Sequence, residues 1–416
     1  MSHTKQIFDP IHGFIELSPL MQKIMYTWEF ARLYDLHQLG AAYYVYPSAV
    51  HKRSEHSLGV SHLAGIMATV LTMSAEVETI NLADTEKLVI KIPSKKGIID
   101  EYVTRERFIE LCRIAGLVHD IGHGPYSHLY DHHVKPYDEP EHEERGITIL
   151  TNMVPKYNLP ITENELEIIK TMIVPPDHDL KYLWYYQIVA NKVCDIDVDK
   201  IDYIQRDCFH TGLGFGGEWS RLLTMCKVKK CPSHDLHTIV WPIKLQDEIF
   251  QLFAARYRLH KHVCSHHTVK AYEYLIVEIL KKARLKVADF ADLTDSIVTC
   301  RLHTEFRELQ EKIARKEIPI LIGEKRVSTQ IESDCTYPRR IIDIIIDKFY
   351  IGLSNSISNP LMCVPYEDRD GKIQYLDVEH MRLCEPIKHK ETIVRMYACD
   401  PNKIEEAKKD WKKYCQ

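Results

Sequence analysis

The sequence predicts a mainly α-helical protein, with a large helical core and a small C-terminal α/β lobe. Three observations lead to this prediction: apolar residues recur at helical spacing through the first part of the chain, short β-rich runs follow Ile318, and the composition leaves no room for long linkers. Of the 416 residues, 45% are hydrophobic and 27% are charged, with only 16 glycines and 19 prolines. We expect a core at residues 1–290 and a lobe at residues 291–416.

The core is expected to consist of buried helices. The run Phe108–Val118 is apolar nearly all round, and apolar residues between Glu248 and Leu280 recur every three or four positions. Before the first of these helices, residues 82–104 alternate apolar and polar side chains around a Ser-Lys-Lys-Gly turn. This pattern predicts a hairpin that is inserted between two core helices and lies at the periphery.

The lobe is expected to contain short strands and one final helix. The runs Ile341–Ile351, Leu361–Pro365 and Ile393–Tyr397 are rich in β-branched and aromatic residues, which are typical of strands. A last helix has a clear start signal, because Asp400 can serve as its N-cap and Pro401 as its first helical residue.

Charge and composition exclude several classes of protein. The formal net charge of -5 disfavours a surface built mainly for nucleic acid, so basic residues that bind phosphate must form a local cluster. Twelve cysteines without a CxxC pair, and a polar N-terminus, predict a reducing, intracellular location. No apolar run approaches the roughly 20 residues that cross a bilayer, so we expect a soluble protein without a membrane partner.

The chemistry is concentrated in the segment GLVHDIGHGPYSHLYDHH, where His119 and Asp120 follow the apolar helix. A buried carboxylate is costly unless it is paired or binds a cation, so a metal is the simplest explanation. The segments HKRSEHSLGVSH and DIDVDKIDYIQRD offer His56 and Asp199 as further ligands. Two imidazoles and two carboxylates suit a divalent transition metal, and Fe, Mn, Zn and Ni all remain candidates.

An adjacent His-Asp pair is by itself more often structural than metal-binding. Here the pair follows an upstream histidine, precedes Gly-His-Gly-Pro and is followed by Asp-Val-Asp-Lys, each beside a helical pattern. This ordered combination favours the metal site over a satisfied core histidine.

Five blocks give the sequence a family resemblance: DPIHGFIEL, QLGAAYYVYPSAVHKRSEHSLGVSHLAG, AGLVHDIGHGPYSHLYD, NKVCDIDVDKIDYIQRDCFHTG and RYRLHKHV. In this order they resemble the catalytic core of the HD-domain deoxynucleoside triphosphate triphosphohydrolases, nearest to the animal branch with an N-terminal SAM domain. The final segment IVRMYACDPNKIEEAKKDWKKYC is similar as well, so the resemblance spans nearly the whole chain, and the SAM domain is expected to be absent.

The resemblance implies roles for individual residues. His56, His119, Asp120 and Asp199 match the metal ligands that the chemistry had already suggested. The catalytic group matches His123, His142 and Asp131. The departing 5′ alkoxide is a poor leaving group, so an acid near it, such as His128, is expected to donate a proton. Asp131 would hold a histidine in one tautomer. Substrate contacts match eight residues: Gln38, Leu39, Arg53, Lys200, Tyr203, Asp207, Arg256 and His260.

Two departures from the family pattern bear on selectivity and regulation. The family has an aromatic residue that crowds the sugar where this chain has Cys264, so we expect weaker discrimination against a 2′ hydroxyl. The family reads an activating guanine with an Asp and an Arg, and this chain has Tyr26 and Tyr34 there. Basic residues remain at activator-phosphate positions, although two partners are replaced: Lys5, Arg221 and Lys244 remain, whereas Pro242 and Glu248 differ.

The expected function is metal-dependent hydrolysis of deoxynucleoside triphosphates (dNTPs) to deoxynucleoside and inorganic triphosphate, without strict GTP activation. One divalent transition metal is the expected cofactor, and Mg²⁺ on the substrate triphosphate is compatible with it. The resemblance implies a homo-oligomer, a dimer or tetramer; nucleic-acid binding is not indicated. Two alternatives stay open: an HD phosphohydrolase acting on another nucleotide phosphoester, and a catalytically idle protein that binds nucleotide or nucleic acid.

Overall fold

The fold is taken from a computed structural model of the chain. It describes residues 4–94, 97–176, 178–284, 290–300, 304–327, 339–341, 343–355, 358–377, 379 and 388–415.

The helices of the first part form a packed body around one buried helix. Their bounds are α1 Pro19–Met25, α2 Trp28–Ala31, α3 Arg53–Thr72, α4 Arg105–Val118, α5 His128–His133, α6 His142–Lys156, α7 Glu163–Ile173, α8 Val198–Thr211, α9 Ser220–Thr224, α10 Gln246–Leu259 and α11 His267–Arg284. A π-helical turn, His260–Cys264, separates α10 from α11. Three helices come later: α12 Ser296–Thr299, α13 Arg307–Ala314 and α14 Ile404–Cys415.

The strands form four small sheets. Their bounds are β1 Lys5–Asp9, β2 Gly13–Leu17, β3 Thr79–Leu82, β4 Thr85–Ser94, β5 Gly97–Val103, β6 Lys227–Cys231, β7 Leu236–Pro242, β8 Ile320–Val327, β9 Arg339–Ile341, β10 Ile344–Gly352, β11 Tyr366–Glu367, β12 Ile373–Gln374 and β13 Lys390–Ala398. The strand orders are β1-β2, β3-β4-β5, β12-β11-β7-β6 and β8-β13-β10-β9.

Helix α3 lies at the centre of the core and packs against α4 and α8. Most of its residues are buried, because apolar side chains such as Val60 and Leu63 alternate with small residues that let neighbouring helices approach. A Cβ on Gly116 of α4 would lie only 3.0 Å from the backbone of Ser61. The close crossing of α3 and α4 therefore depends on this glycine. Of the described helices, none is long and apolar enough to cross a membrane.

The inserted β segment differs from the prediction in two respects. It is a three-stranded antiparallel sheet that starts at Thr79, because β3 pairs with β4 ahead of the predicted hairpin β4-β5. It is also not wholly peripheral: Leu88, Ile90 and Ile92 alternate along β4 and are buried in the core. The prediction missed this burial because the same alternation fits a sheet with one solvated face. Of the predicted turn, Lys95 and Lys96 lie outside the described residues.

The predicted helical core is confirmed in the main, but it contains more strands than predicted, since the hairpins β1-β2 and β6-β7 also belong to the first part of the chain. The C-terminal part also reaches into that core, because β11 pairs in parallel with β7 through Tyr366 opposite Trp241.

Within the C-terminal part, the predicted runs near Ile344–Gly352 and Lys390–Ala398 are confirmed as strands. The predicted strand Leu361–Pro365 is wrong. Asn359 caps a 3₁₀ turn there, with Pro360 in its first position, and the strand starts only at Tyr366. The start signal of the last helix is confirmed: the Asp400 side chain accepts a hydrogen bond from the Asn402 backbone, and the turn continues into α14.

Candidate metal centre and catalytic group

Three helix ends bring the four predicted metal ligands together. His56 lies in the first turn of α3, His119 and Asp120 follow the last residue of α4, and Asp199 lies in the first turn of α8. His56 Nε2 is 3.0 Å from Asp199 Oδ1 and 3.6 Å from Asp120 Oδ2. His119 Nε2 is 3.3 Å from Asp120 Oδ1 and 3.6 Å from Asp199 Oδ1.

The hydrogen bonds fix which nitrogen of each imidazole faces the centre. His56 Nδ1 lies 2.8 Å from Asp202 Oδ2, and His119 Nδ1 lies 2.7 Å from the Gly116 carbonyl oxygen, so both Nδ1 atoms donate outward. The two Nε2 lone pairs then face carboxylate oxygens. His119 Nε2 is buried with no hydrogen-bond partner among the described residues. Lone pairs that face carboxylates at this distance repel unless a cation lies between them, so these residues fit a divalent metal.

The pKa shifts of the two histidines also indicate that this group of residues would bind a cation. Burial opposes the charged form of His56, but the hydrogen bonds with Asp199 and Asp202 outweigh it and raise its pKa to about 10. Burial likewise opposes protonation of His119, yet the charges of Asp120 and Asp199 raise its pKa. The group therefore attracts positive charge, and a bound metal would supply it in place of protons.

A layer of residues behind the ligands was not predicted from the sequence. Asp202 is fully buried, accepts from His56, lies 2.6 Å from His12 Nε2 and is held by Arg206. Arg206 in turn binds Asp9 at 2.8 Å. Such a carboxylate orients a ligating histidine and fixes its tautomer. A usable signal was present, because Asp202 follows Asp199 by three residues and so lies on nearly the same face of α8.

A glycine makes room for this layer. A Cβ on Gly59 of α3 would collide with the side chains of Asp202 and Arg206. The glycine of the His56 block is therefore explained by the close approach of two helices around a buried ion pair.

Beside the metal centre lies a second group, formed by His123, Asp131 and His142. Asp131 Oδ2 is 3.2 Å from His142 Nδ1 and 3.6 Å from His123 Nδ1. The two rings are stacked, with centroids 3.8 Å apart and planes inclined by 18°. In-plane lone pairs of stacked rings run nearly parallel and do not converge on one point, so this geometry suits proton sharing with the carboxylate better than a second metal.

Asp120 joins the two groups. Its Oδ1 lies 3.3 Å from His119 Nε2 and also 3.3 Å from His123 Nε2. Its Oδ2 pairs with the buried guanidinium of Arg53, which also donates to Ser127 Oγ at 2.7 Å. A single carboxylate therefore contacts a predicted metal ligand, a histidine of the predicted catalytic group and a basic side chain.

Arg145 fixes Asp131 and the loop before it. Its guanidinium donates to Asp131 Oδ1 at 2.5 Å and to the Gly122 carbonyl at 2.9 Å. Burial acts to raise the pKa of Asp131, but hydrogen bonds from His123, His142 and Arg145 hold that pKa far below its usual range. Asp131 is therefore a permanent acceptor.

His128 lies at the edge of the second group, with its ring centroid 5.1 Å from that of His123 and 5.4 Å from that of His142. It is solvent-accessible on one side. Loss of hydration and the neighbouring rings of His123 and His142 lower its pKa well below the usual value. The ring is therefore neutral at neutral pH in the free protein.

The predicted triphosphate residues form a basic cluster next to these groups. Lys200 is buried and pairs with Asp195 at 3.0 Å, and Arg256 donates to the Gly352 carbonyl and to Asn355 Oδ1, both at 2.7 Å. Loss of hydration, Arg256 and Lys200 lower the pKa of His260. Burial outweighs the same two cations and raises the pKa of Tyr203 to about 12. The four side chains thus act on one another electrostatically.

Lys270 extends this cluster and was missed by the sequence analysis. Loss of hydration is the largest cause that lowers the pKa values of His260 and His133. The charge of Lys270 acts to lower both pKa values further. Its Nζ donates to Glu273 Oε2 at 2.7 Å. The α11 lysine therefore places positive charge between the π-helical turn and α5.

Of the residues predicted around the sugar, Asp207 lies two turns of α8 beyond Lys200, on nearly the same face of the helix. Asp207 pairs with His51, Gln38 donates from its backbone N–H to the His51 carbonyl at 3.0 Å, and Leu39 is half-buried against the core. Cys264 lies near enough for the Asp207 charge, together with the larger effect of lost hydration, to raise its pKa to about 12.

Asp295 ties the Gln38 loop to the catalytic loop, and the sequence analysis assigned it no role. Its Oδ2 accepts from the His37 backbone N–H and lies 2.7 Å from His37 Nδ1, and its Oδ1 accepts from the Tyr126 backbone N–H. Tyr126 and Ser127 both have left-handed backbone conformations, with φ of 56° and 59°. Such strain at non-glycine residues persists only where neighbours hold it, and it is typical of functional sites.

A cavity of about 810 Å³ opens beside the basic cluster and is lined by Glu143, Asp195, Asp197 and Asn355, among others. A smaller cavity, about 190 Å³, lies away from the metal centre between the inserted sheet and the β6-β7 hairpin. The larger one is the size of a small-ligand pocket and borders Lys200 and Arg256 through their partners Asp195 and Asn355.

Comparison with known proteins agrees with this geometry. The family model for the HD domain matches residues 53–207. The chain is 34% identical over 318 residues to the Bos taurus protein named deoxynucleoside triphosphate triphosphohydrolase SAMHD1, covering 70% of this chain and 49% of that protein. With SAMHD1 of Xenopus laevis it is 27% identical over 490 aligned positions, covering 98% of this chain and 73% of that protein.

A viral relative carries the same domain. The chain is 34% identical over 274 residues to a putative HD domain-containing protein of Acanthamoeba polyphaga mimivirus, covering 65% of this chain and 56% of that protein. The chain spans about half the length of the bovine and human relatives that it matches. It is therefore an HD-domain protein, related over most of its length to the deoxynucleoside triphosphate triphosphohydrolases.

Proposed function

We propose that the protein hydrolyses deoxynucleoside triphosphates to deoxynucleoside and inorganic triphosphate. The observation that supports this most is Asp120, whose carboxylate contacts the metal ligand His119, the catalytic-group residue His123 and the basic side chain of Arg53. Cleavage at the α-phosphorus needs a metal, groups that transfer a proton and a cation that binds phosphate, all close together. Here the residues proposed for these three roles all contact Asp120.

His56, His119, Asp120 and Asp199 would hold one divalent transition metal, with Fe, Mn, Zn and Ni as candidates. When bound, it would supply Lewis-acid polarisation of water and of the phosphate oxygens. Mg²⁺ on the substrate triphosphate is compatible with this arrangement. The protein itself orients the ligands: Asp202 and the Gly116 carbonyl hold the two imidazoles with their Nε2 atoms inward.

Proton transfer to the departing 5′ oxygen is assigned to His128, with His123, His142 and Asp131 as the relay behind it. An alkoxide is a poor leaving group, so it must be protonated as the bond breaks. His128 is neutral in the free protein, but the several negative charges of a triphosphate beside it would raise its pKa again. Binding of the substrate would therefore create the acid that its own cleavage requires.

The triphosphate is assigned to Arg53, Lys200, Tyr203, Arg256 and His260. Lys200 and Arg256 are held by Asp195 and Asn355 before any ligand binds, so less side-chain freedom is lost on binding. This local cluster accounts for polyanion binding by a protein whose net charge is -5. The sugar and base are assigned to Gln38, Leu39 and Asp207.

We also propose that the protein acts without strict GTP activation and as a homo-oligomer, a dimer or tetramer.

Two other functions are compatible with an HD domain: hydrolysis of another nucleotide phosphoester, and nucleotide or nucleic-acid binding without catalysis. The buried Nε2 of His119, which has no partner among the described residues, disfavours an idle site, because an unpaired polar atom has a cost that only a ligand offsets.

The test is product identification by ion-exchange chromatography after incubation with each dNTP and a divalent transition metal. We expect deoxynucleoside and inorganic triphosphate as the first products, and loss of both in the His128→Ala variant. A control variant is Glu163→Gln, which changes an exposed carboxylate of α7. Deoxynucleoside monophosphate with pyrophosphate would contradict the proposal and favour the other phosphohydrolase. Binding without turnover under all metals would favour the idle protein.

A further inference from the structure

The pair His51–Asp207 is a second buried polar contact between the α3 and α8 regions, and the metal centre does not account for it. His51 precedes α3 and Asp207 lies in α8. His51 Nε2 lies 2.7 Å from Asp207 Oδ1, and the two side chains are 0% and 3% exposed. The contacts of His56 with Asp199 and Asp202 on the same two elements are separate from it.

His51 is held rigidly from two sides. The ring of His210 stacks on it with centroids 4.2 Å apart and planes inclined by 10°. Its backbone carbonyl accepts from the Gln38 N–H. His51 Nδ1 has no partner among the described residues, so the single proton of the neutral ring belongs on Nε2, where Asp207 accepts it. The ring therefore fixes one oxygen of Asp207.

The same residue connects the two side chains that are proposed to contact the sugar. Gln38 Oε1 is buried and has no hydrogen-bond partner among the described residues. A buried acceptor without a donor is costly, and a sugar hydroxyl could offer the missing donor. His51 thus links a fixed carboxylate with a loop that carries an unfilled acceptor.

We propose that His51 is a positioning residue that makes the site selective for substrates with a 3′ hydroxyl. By donating from Nε2 to Asp207 Oδ1, it leaves the second carboxylate oxygen to accept from that hydroxyl. By anchoring the Gln38 backbone, it keeps the amide oxygen beside the same part of the sugar. This inference rests on the proposed function, because that function assigns Asp207 and Gln38 to the sugar.

The test compares kcat/KM for each dNTP with that for its 2′,3′-dideoxy counterpart, in the wild type and in His51→Phe. Phenylalanine keeps the ring and its stacking on His210 but lacks the N–H donor. The wild type should prefer the dNTP. In His51→Phe this preference should fall about 10- to 100-fold, the range of a hydrogen bond to a charged group, with the loss falling on the dNTP. Asp207→Asn should lose the preference for dNTP too. The double variant with His51→Phe and Asp207→Asn should lose little more of this preference than either single variant.

The ratio of the kcat/KM values for two substrates, measured with one enzyme preparation, does not depend on how much of the variant is folded. His210→Phe, which keeps a stacking ring, is the matched control and should retain the wild-type ratio. Equal losses on dNTP and dideoxy substrates in His51→Phe would assign the residue a purely structural role and overturn the inference. A wild type that hydrolyses both kinds of substrate equally would overturn it as well, while leaving the proposed function intact.

Binding separates failure of the inference from failure of the proposed function. If no nucleotide releases triphosphate, the proposed function is contradicted, and isothermal titration calorimetry then compares dNTP with dideoxy-NTP affinity. A dNTP preference of tenfold or more that disappears in His51→Phe would support the positioning role without turnover. Equal dissociation constants in the wild type would overturn it.

Discussion

At the scale of single residues, the metal centre depends on where each nitrogen proton lies. His56 and His119 hydrogen-bond through Nδ1 to Asp202 and to the Gly116 carbonyl, so their Nε2 atoms face the predicted centre before a metal binds. A ligand set fixed in this way needs little reorganisation on metal binding.

Substitution of Asp199 should remove the metal and the activity together. The Asp199 side chain is 37% exposed at the start of α8, so Asp199→Ala leaves no buried charge unpaired within the core. We expect metal content near zero by mass spectrometry and turnover reduced at least 1000-fold, with an unchanged circular dichroism spectrum. Stoichiometric metal with near-normal turnover would show that the ligand set is wrong. Glu163→Gln again serves as the control.

Cys264 should allow a 2′ hydroxyl that a larger side chain would exclude. It lies near Asp207, and it is smaller than the aromatic residue expected from the family pattern. We expect measurable ATP hydrolysis by the wild type, and a roughly tenfold higher ratio of dATP to ATP in kcat/KM for Cys264→Phe. A ratio that stays the same in this variant would show that Cys264 does not border the sugar.

At the scale of elements, one buried residue, Asp295, connects three loops through hydrogen bonds. Asp295 accepts from the His37 and Tyr126 backbones, and its own N–H donates to the Asp35 carbonyl. The segment before α12 thereby fixes the strained turn that precedes α5, and with it the position of His128.

Removal of this carboxylate should be strongly destabilising. In Asp295→Ala, the Tyr126 N–H, the His37 N–H and the His37 ring lose their acceptor inside the protein. We expect a loss of about 2–4 kcal/mol in the free energy of unfolding, measured by urea denaturation. Asp292→Ala, an exposed neighbour, should change it by less than about 0.5 kcal/mol. Equal effects of the two variants would contradict the role of Asp295.

The positions of the candidate ligands at helix ends could be predicted from the sequence, but the residues that contact those ligands from the outside were not predicted. His119 and Asp120 were visible because an apolar helix ends at charged residues beside glycines, which is a local pattern. Asp202 did carry a local signal, its three-residue spacing from Asp199 in α8, which went unused. His51 and Asp295 carry no local signal, since their roles arise from contacts with distant segments. For the same reason the burial of β4 was missed: the partner of a half-apolar strand cannot be read from the strand itself.

At the scale of the whole molecule, the surface predicted to take an activating nucleotide carries Tyr26 and Tyr34 where the family pattern has an Asp and an Arg. Lys5 Nζ contacts the Tyr26 hydroxyl at 3.0 Å, and Tyr34 is 51% exposed. Arg221 is already paired with Glu248. Neutral tyrosines cannot reproduce the paired, charge-assisted hydrogen bonds by which a carboxylate and a guanidinium recognise guanine.

The rate of dNTP hydrolysis should therefore be nearly independent of GTP. Two lost charged contacts, each worth about 1.5–3 kcal/mol, weaken guanine binding by two or more powers of ten. Rates measured across a GTP titration, with oligomer mass followed by light scattering, test this. Activity that strictly requires GTP, accompanied by GTP-driven assembly, would contradict it.

The parallel pairing of β11 with β7 has a consequence for the order in which contacts form during synthesis of the chain. Trp241 leaves the ribosome long before Tyr366, and Arg256 long before its anchors Gly352 and Asn355. Contacts between such distant segments form late, because the chain between them must first be made and its loop closed. During synthesis the metal ligands can meet early, whereas Arg256 stays without its anchors until the C-terminal segment emerges. A nascent chain would thus bind metal before it could hold a triphosphate.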